Sequence, residues 1–191
     1  MTDGAPKAPP SASCKTLSAI ENMRSLIILS AILILLACNN KQELNYHTNI
    51  IDGLKESKNT GKPIFLLFNL YSIGYDSFKY KIISNKDVVQ KLNKNFVNII
   101  LYCDDRRKMR KEDTLAFSEF GLDNMIRPYQ SKIETFGNLN AYLEISMYDI
   151  RTQPLYLVLD SKMNLVIDRF GYVADPETFG SKLDVALRKL K

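Results

Sequence analysis

The chain has 191 residues, 46% of them hydrophobic and 25% charged, with a formal net charge of +5. This is room for one domain with a sizeable core plus a tail, and the positive excess is too mild and too scattered to mark a nucleic-acid binder. Three cysteines (Cys14, Cys38, Cys103) and the single histidine His47 stand at no metal-ligand spacing, so neither a metal nor another cofactor is expected.

In chain order, residues 1–22 are rich in Gly, Ala, Pro, Ser and Thr, have little periodicity and offer no means of forming a core. Met23-Arg24 then opens a short basic start to an apolar run, Ser25 to Ala37, that ends at Cys38. This is the architecture of a secretion signal, and the run is shorter than the about 20 apolar residues that span a bilayer. Leu35-Leu36-Ala37-Cys38 resembles the lipobox of bacterial lipoproteins, which implies lipidation at Cys38 and makes Met23 the more natural start. The expected organisation is therefore an extension or wrong start over 1–22, a signal peptide over 23–37, a lipidated tether over 38–45 and one folded domain over 46–191.

Within that domain, Ile50, Ile51 and Leu54 at helical spacing predict a helix over Tyr46–Ser57, closed by Asn59-Thr60-Gly61. Lys62–Leu70, uncharged after Lys62, reads as a strand buried on both faces. Ser72–Lys94 reads as a helix broken near Ser84-Asn85, with Ser84 capping the second piece. Phe96–Cys103 is a second strand, parallel to the first through the intervening helix. The long connection Asp104–Gln153 is expected to hold helices near Glu112–Phe120 and Asn138–Met147, and Gly121–Phe136 shows no clean period. The alternating charges of Asp104–Asp113 read as a solvated loop. Leu155–Asp160 and Leu165–Phe170 predict a hairpin across Ser161–Asn164, and Asp175-Pro176-Glu177 starts a final helix.

Gly-Lys-Pro-Ile-Phe-Leu (61–66), Asn-Phe-Val-Asn-Ile-Ile-Leu-Tyr (95–102) and Thr-Gln-Pro-Leu-Tyr-Leu-Val-Leu-Asp (152–160) resemble the thioredoxin-like family, in particular the C-terminal domain of periplasmic thiol:disulfide interchange proteins. The resemblance covers Tyr46 to Lys191. It implies an α/β fold with a central mixed sheet of about four strands flanked by helices, and a helical insertion before a cis-proline at Pro154. Where that family carries Cys-x-x-Cys, this chain has Ile73-Gly74-Tyr75-Asp76, so both redox cysteines are missing and no catalytic residue is assigned. Leu67 occupies a strand position where active members often carry a buried acid. Tyr71, Ile73, Tyr75, Thr152 and Pro154 are the expected lining of the family's peptide groove. Asp76 reads as a helix cap.

The reading that follows is a lipid-anchored lipoprotein of the bacterial envelope, on the periplasmic side or at the outer membrane. Its domain would be a redox-inactive thioredoxin-like module that binds a protein or peptide in a chaperone-like way. No nucleic acid and no metal are expected as partners. The alternative is an atypical thiol–disulfide oxidoreductase using Cys103 or a partner's cysteines. Cys103 ends a buried strand, where a cysteine most often serves as a small hydrophobe.

Overall fold

A computed structural model describes residues 43–71, 78–149 and 151–191. The chain divides into two units, Met1–Lys41 and Gln42–Lys191, and the described residues all lie in the second. The expected lipidation site Cys38 and the turn Ile73-Gly74-Tyr75-Asp76 lie outside the described residues.

Packing begins ahead of Tyr46. Leu44 is buried, and the Asn93 side chain accepts from Asn45 N at 3.0 Å and donates to Glu43 O at 2.8 Å. Helix α1 (Ile50–Thr60) is capped by Asn49, whose side chain accepts from Ile51 N, and is stopped by Gly61 in the left-handed region at φ 68°. It leads into β1 (Ile64–Asn69), every residue of which is buried. Beyond residues 72–77, Phe78–Ile82 form a π-helical turn, and helix α2 (Lys86–Asn95) follows. Its cap is Asn85, not the expected Ser84. The helix begins one residue later than anticipated, and the Asn85 amide oxygen accepts from both Asp87 N and Val88 N.

Strand β2 (Val97–Tyr102) pairs in parallel with β1, from Ile64 opposite Val97 to Asn69 opposite Tyr102. Strand β3 (Leu155–Leu159) pairs antiparallel on the other side, from Ile64 opposite Leu159 to Phe68 opposite Leu155. The sheet is mixed, in the order β2-β1-β3. Among the described residues the sheet has three strands where about four were expected, because Leu165–Phe170 does not form a strand. It returns along β3 through two isolated bridges, Leu159 to Leu165 and Tyr156 to Phe170. Between those bridges the return carries two more residues than β3 does, so the ladder bulges and cannot stay in register. On the opposite edge, His47 makes a single parallel bridge to Ile99.

Strand alternation divides the core into two layers. Phe65, Leu67, Ile100, Tyr156 and Val158 face α2 and the C-terminal helix α5 (Pro176–Lys189). There Tyr156 packs edge-on to Phe179 with ring centroids 5.3 Å apart. Ile64, Leu66, Phe68, Ile99, Leu101 and Leu157 face the other layer, made by α1, a short helix α3 (Leu122–Ile126) and helix α4 (Phe136–Tyr148). Burial on both faces explains the uninterrupted apolar strands.

The connection before α4 departs from expectation. Glu112–Phe120 is not one helix but two 3-10 turns, Lys111–Thr114 and Ser118–Phe120, ended by Gly121 at φ 70°. The Asp113 carboxylate holds the first turn by accepting from Arg110 N, and the Phe117 carbonyl accepts from both Phe120 N and Leu122 N. The chain turns there instead of continuing an α period. The previously unassigned Gly121–Phe136 resolves into α3 and a further 3-10 segment, Arg127–Lys132.

Candidate functional site at the proline loop

The C-terminal ends of β1 and β2 and the start of β3 meet at one end of the sheet, and four expected site residues, Tyr71, Cys103, Thr152 and Pro154, gather there. Tyr71 follows β1, Cys103 follows β2, and Thr152 to Pro154 precede β3. Two hydrogen bonds join the ends of β1 and β2: Cys103 N donates to Asn69 O at 2.8 Å, and Tyr71 N donates to the Asp104 carboxylate at 2.8 Å. The Tyr71 ring, 45% exposed, stacks on Tyr102 with centroids 3.7 Å apart and planes within 9°. Burial, and after it the charge of Asp105, push the Tyr71 hydroxyl above its ordinary range. The Gln153–Pro154 peptide bond is cis.

The site has an organiser that sequence reasoning missed. Glu144, fully buried on α4, accepts from Thr152 N at 3.1 Å through one carboxylate oxygen. Through the other it accepts from Gln153 Nε2 at 2.5 Å and lies 3.7 Å from Cys103 Sγ. Burial pushes Glu144 above the usual carboxylate range, since its donors are neutral groups that only partly offset the loss of water. One turn earlier, Asn140 donates to Tyr102 O at 2.9 Å. The two polar residues therefore stand four apart on the sheet-facing side of one helix and fix the ends of two strands. That i, i+4 pair beside Leu139 and Leu143 was the available signal.

Cys103 is half-buried and is the free cysteine among the described residues. Burial raises its thiol pKa strongly, and the neighbouring Glu144 raises it further. A redox nucleophile needs the opposite: an exposed thiolate stabilised by positive charge.

Asp105 corrects the reading of residues 104–113 as a solvated loop, being only 5% exposed. Burial alone would raise its pKa, but hydrogen bonds from the Arg107 backbone and guanidinium outweigh it and hold the carboxyl below its ordinary value. The guanidinium in turn lies over the Phe136 ring, 5.1 Å from its centroid. This loop clasps the start of α4, where Gly137 N donates to Asp105 O at 2.9 Å. A Cβ on Gly137 would sit 2.7 Å from Asp105 N and O, so glycine is required by close approach.

His47 lies away from this cluster, paired with Glu56 at 2.6 Å. No group of three or more metal-ligating side chains exists among the described residues, and no described helix is long and apolar enough to cross a membrane.

No protein-family model and no curated protein matches the sequence. Among solved structures, DsbH oxidoreductase is similar with a TM-score of 0.53 at 15% identity, over 76% of this chain and 85% of its own. A thioredoxin from Thermus thermophilus gives 0.49 at 13% identity, over 77% and 89%. The exposed lipoprotein thioredoxin of Streptococcus pneumoniae strain TIGR4 gives 0.39 at 15% identity, over 73% and 97%. The likeness to DsbH, with the mixed sheet and its flanking helices, establishes the fold: it is thioredoxin-like.

Proposed function

We propose that this domain binds a protein or peptide through the end of the sheet around Tyr71, Thr152 and Pro154, and that it carries out no thiol–disulfide exchange. The observation that carries the reading is the setting of Cys103. Its thiol is half-buried and faces the buried carboxylate of Glu144, which disfavours the thiolate. On the resemblance to the thioredoxin-like family, Ile73 and Asp76 stand at the positions of that family's reactive cysteine pair. What the site retains is an exposed aromatic face at Tyr71 and a loop held in place by a carboxylate, features suited to contact and not to electron transfer. The envelope setting rests on the signal-like run and Cys38; on this reading the lipidated cysteine tethers the domain to the membrane.

The test uses the full chain in a bacterial envelope, with a photo-crosslinking residue at position 71 or, as a control, at the exposed position 162. A discrete adduct from 71 and none from 162 is the expected result, and equal yields from both would overturn the binding reading. Disulfide reduction by the same chain should match a blank. Activity that disappears in Cys103→Ser would establish the oxidoreductase alternative instead. Incorporation of an alkyne-labelled palmitate, lost in Cys38→Ala, is expected for the anchor, and unlabelled protein would refute it.

A further inference from the structure

The chain enters the folded domain at the end of the sheet opposite the proline loop. The parallel bridge of His47 to Ile99 runs residues 43–47 alongside β2 in its own direction, so Glu43 lies beside the start of that strand. It is fixed there by Asn93, near the end of α2, which joins Glu43 O and Asn45 N. The start of β1 and the ends of α2 and α5 gather on the same side, around a shallow depression walled in part by Pro63, Leu187, Arg188, Leu190 and Lys191. We propose that this end of the domain docks on an anionic lipid surface, the one that holds the anchor, and that the proline loop faces away from it. The proposal rests on the lipid anchor at Cys38 put forward above.

Two independent features point to that partner. One is reach. Five residues, Cys38 to Gln42, precede Glu43, and a chain of that length extends at most about 18 Å. An acyl group on Cys38 therefore keeps this end next to the bilayer, while the proline loop lies across the six residues of β1, about 20 Å away. The other feature is charge. Among the described residues, Lys62, Lys94, Arg188, Lys189 and Lys191 stand in no ion pair. Of the carboxylates at this end, Asp184 is taken by Lys91 at 2.6 Å and Asp160 has Lys162 beside it, which leaves Glu43. Lys94, Arg188 and Lys189 also suit the negative ends of α2 and α5. They are exposed, so an anionic surface displaces no ion pair in reaching them. Leu187 and Leu190, half-buried beside them, supply the apolar contact of an interfacial surface.

The test places the full lipidated chain in nanodiscs of phosphatidylglycerol or of phosphatidylcholine, each doped with a gadolinium-chelating lipid. The methyl signals of Leu187, Leu190 and Thr152 are followed, each assigned by its loss in a single substitution. In the anionic discs the two leucine signals are expected to broaden and Thr152 to stay sharp. Each cation brought to such a surface strengthens association about fivefold. Lys94→Gln combined with Arg188→Gln, both at exposed positions, should therefore lower the ratio of docked to undocked domain roughly twentyfold and sharpen the leucines again. Equal broadening of Thr152 would overturn the proposal. So would leucine broadening undiminished in phosphatidylcholine, which the tether alone would produce. Retention by the phosphatidylcholine discs reports the anchor itself. A chain lost from those discs would refute the anchor and the docking with it, whereas one retained with Thr152 broadened would refute the docking alone.

Discussion

Two buried carboxylates stand within one helix length of each other at the proline-loop end of the sheet, and the protein treats them oppositely. Asp105 meets a guanidinium, three of whose N–H···O contacts fall between 2.6 and 3.1 Å, and its pKa is held down. Glu144 meets a backbone amide, a side-chain amide and a thiol, and its pKa is pushed up. Both accept about the same number of hydrogen bonds. The difference is that only one partner is charged, so one loop is secured by an ion pair open to solvent on its Arg107 side and the other by neutral donors in a dry pocket.

This contrast can be broken most forcefully at Glu144→Ala. That change leaves the Thr152 amide and the Gln153 side chain without their acceptor and opens a void, so a loss of about 3 kcal/mol in urea unfolding is expected. A loss below about 1 kcal/mol would mean that the proline loop is held by something else. Gly137→Ala should follow at about 2 kcal/mol, because its Cβ meets rigid backbone of the Asp105 loop and not a flexible side chain.

Asp105→Asn is expected to cost about 1 kcal/mol at neutral pH and to flatten the acid limb of the stability curve. The sign follows from the depressed pKa. The unfolded chain binds the Asp105 proton more readily than the fold does, so this stabilisation is present above the ordinary value of 3.8 and is lost as pH falls through the lower folded value. Glu144→Gln should cost least, under about 1 kcal/mol, since an amide still accepts from Thr152 N. Its informative effect is on the slope. The wild-type fold binds the Glu144 proton more readily than the unfolded chain, so it loses stability as pH rises from the ordinary value of 4.5 through the raised one. The glutamine variant should lose that slope while keeping the acid limb set by Asp105. If both substitutions changed the same limb, the opposition described above would be wrong.

The strands and the outer helices were legible in the sequence because their signals are local. Continuous apolar runs named β1, β2 and β3 to within two residues at either end, and Asp175-Pro176-Glu177 named the start of α5. The elements that were misread depend on contacts remote in sequence. Leu165–Phe170 has strand-like composition, but its two surplus residues between bridges are visible only once β3 is in place. The 3-10 turns before α3 are shaped by Arg110–Asp113 and by the shared Phe117 carbonyl, neither of which has a periodic signature. At the site, Cys103 was identified from its place at a strand end, and Tyr71 and Pro154 from the resemblance to the thioredoxin-like family. Glu144 was passed over because a glutamate within a helix ordinarily faces water, and Asp105 because it lies in a run of alternating charges. Burial, not residue type, made both of them organisers.

The bridges that border the sheet have a consequence for how the molecule meets its own kind. His47 caps the outer side of β2 with one reciprocal pair of backbone bonds, to Asn98 O at 2.9 Å and from Ile100 N at 2.8 Å. The bulged return does the same for β3. Buried strands this apolar would be adhesive if left open along their sides. Two short, irregular borders, too poor in regular pairing to count as strands, therefore act as guards against sheet-to-sheet polymerisation. Any chain arriving as an added strand would have to peel one of them away first.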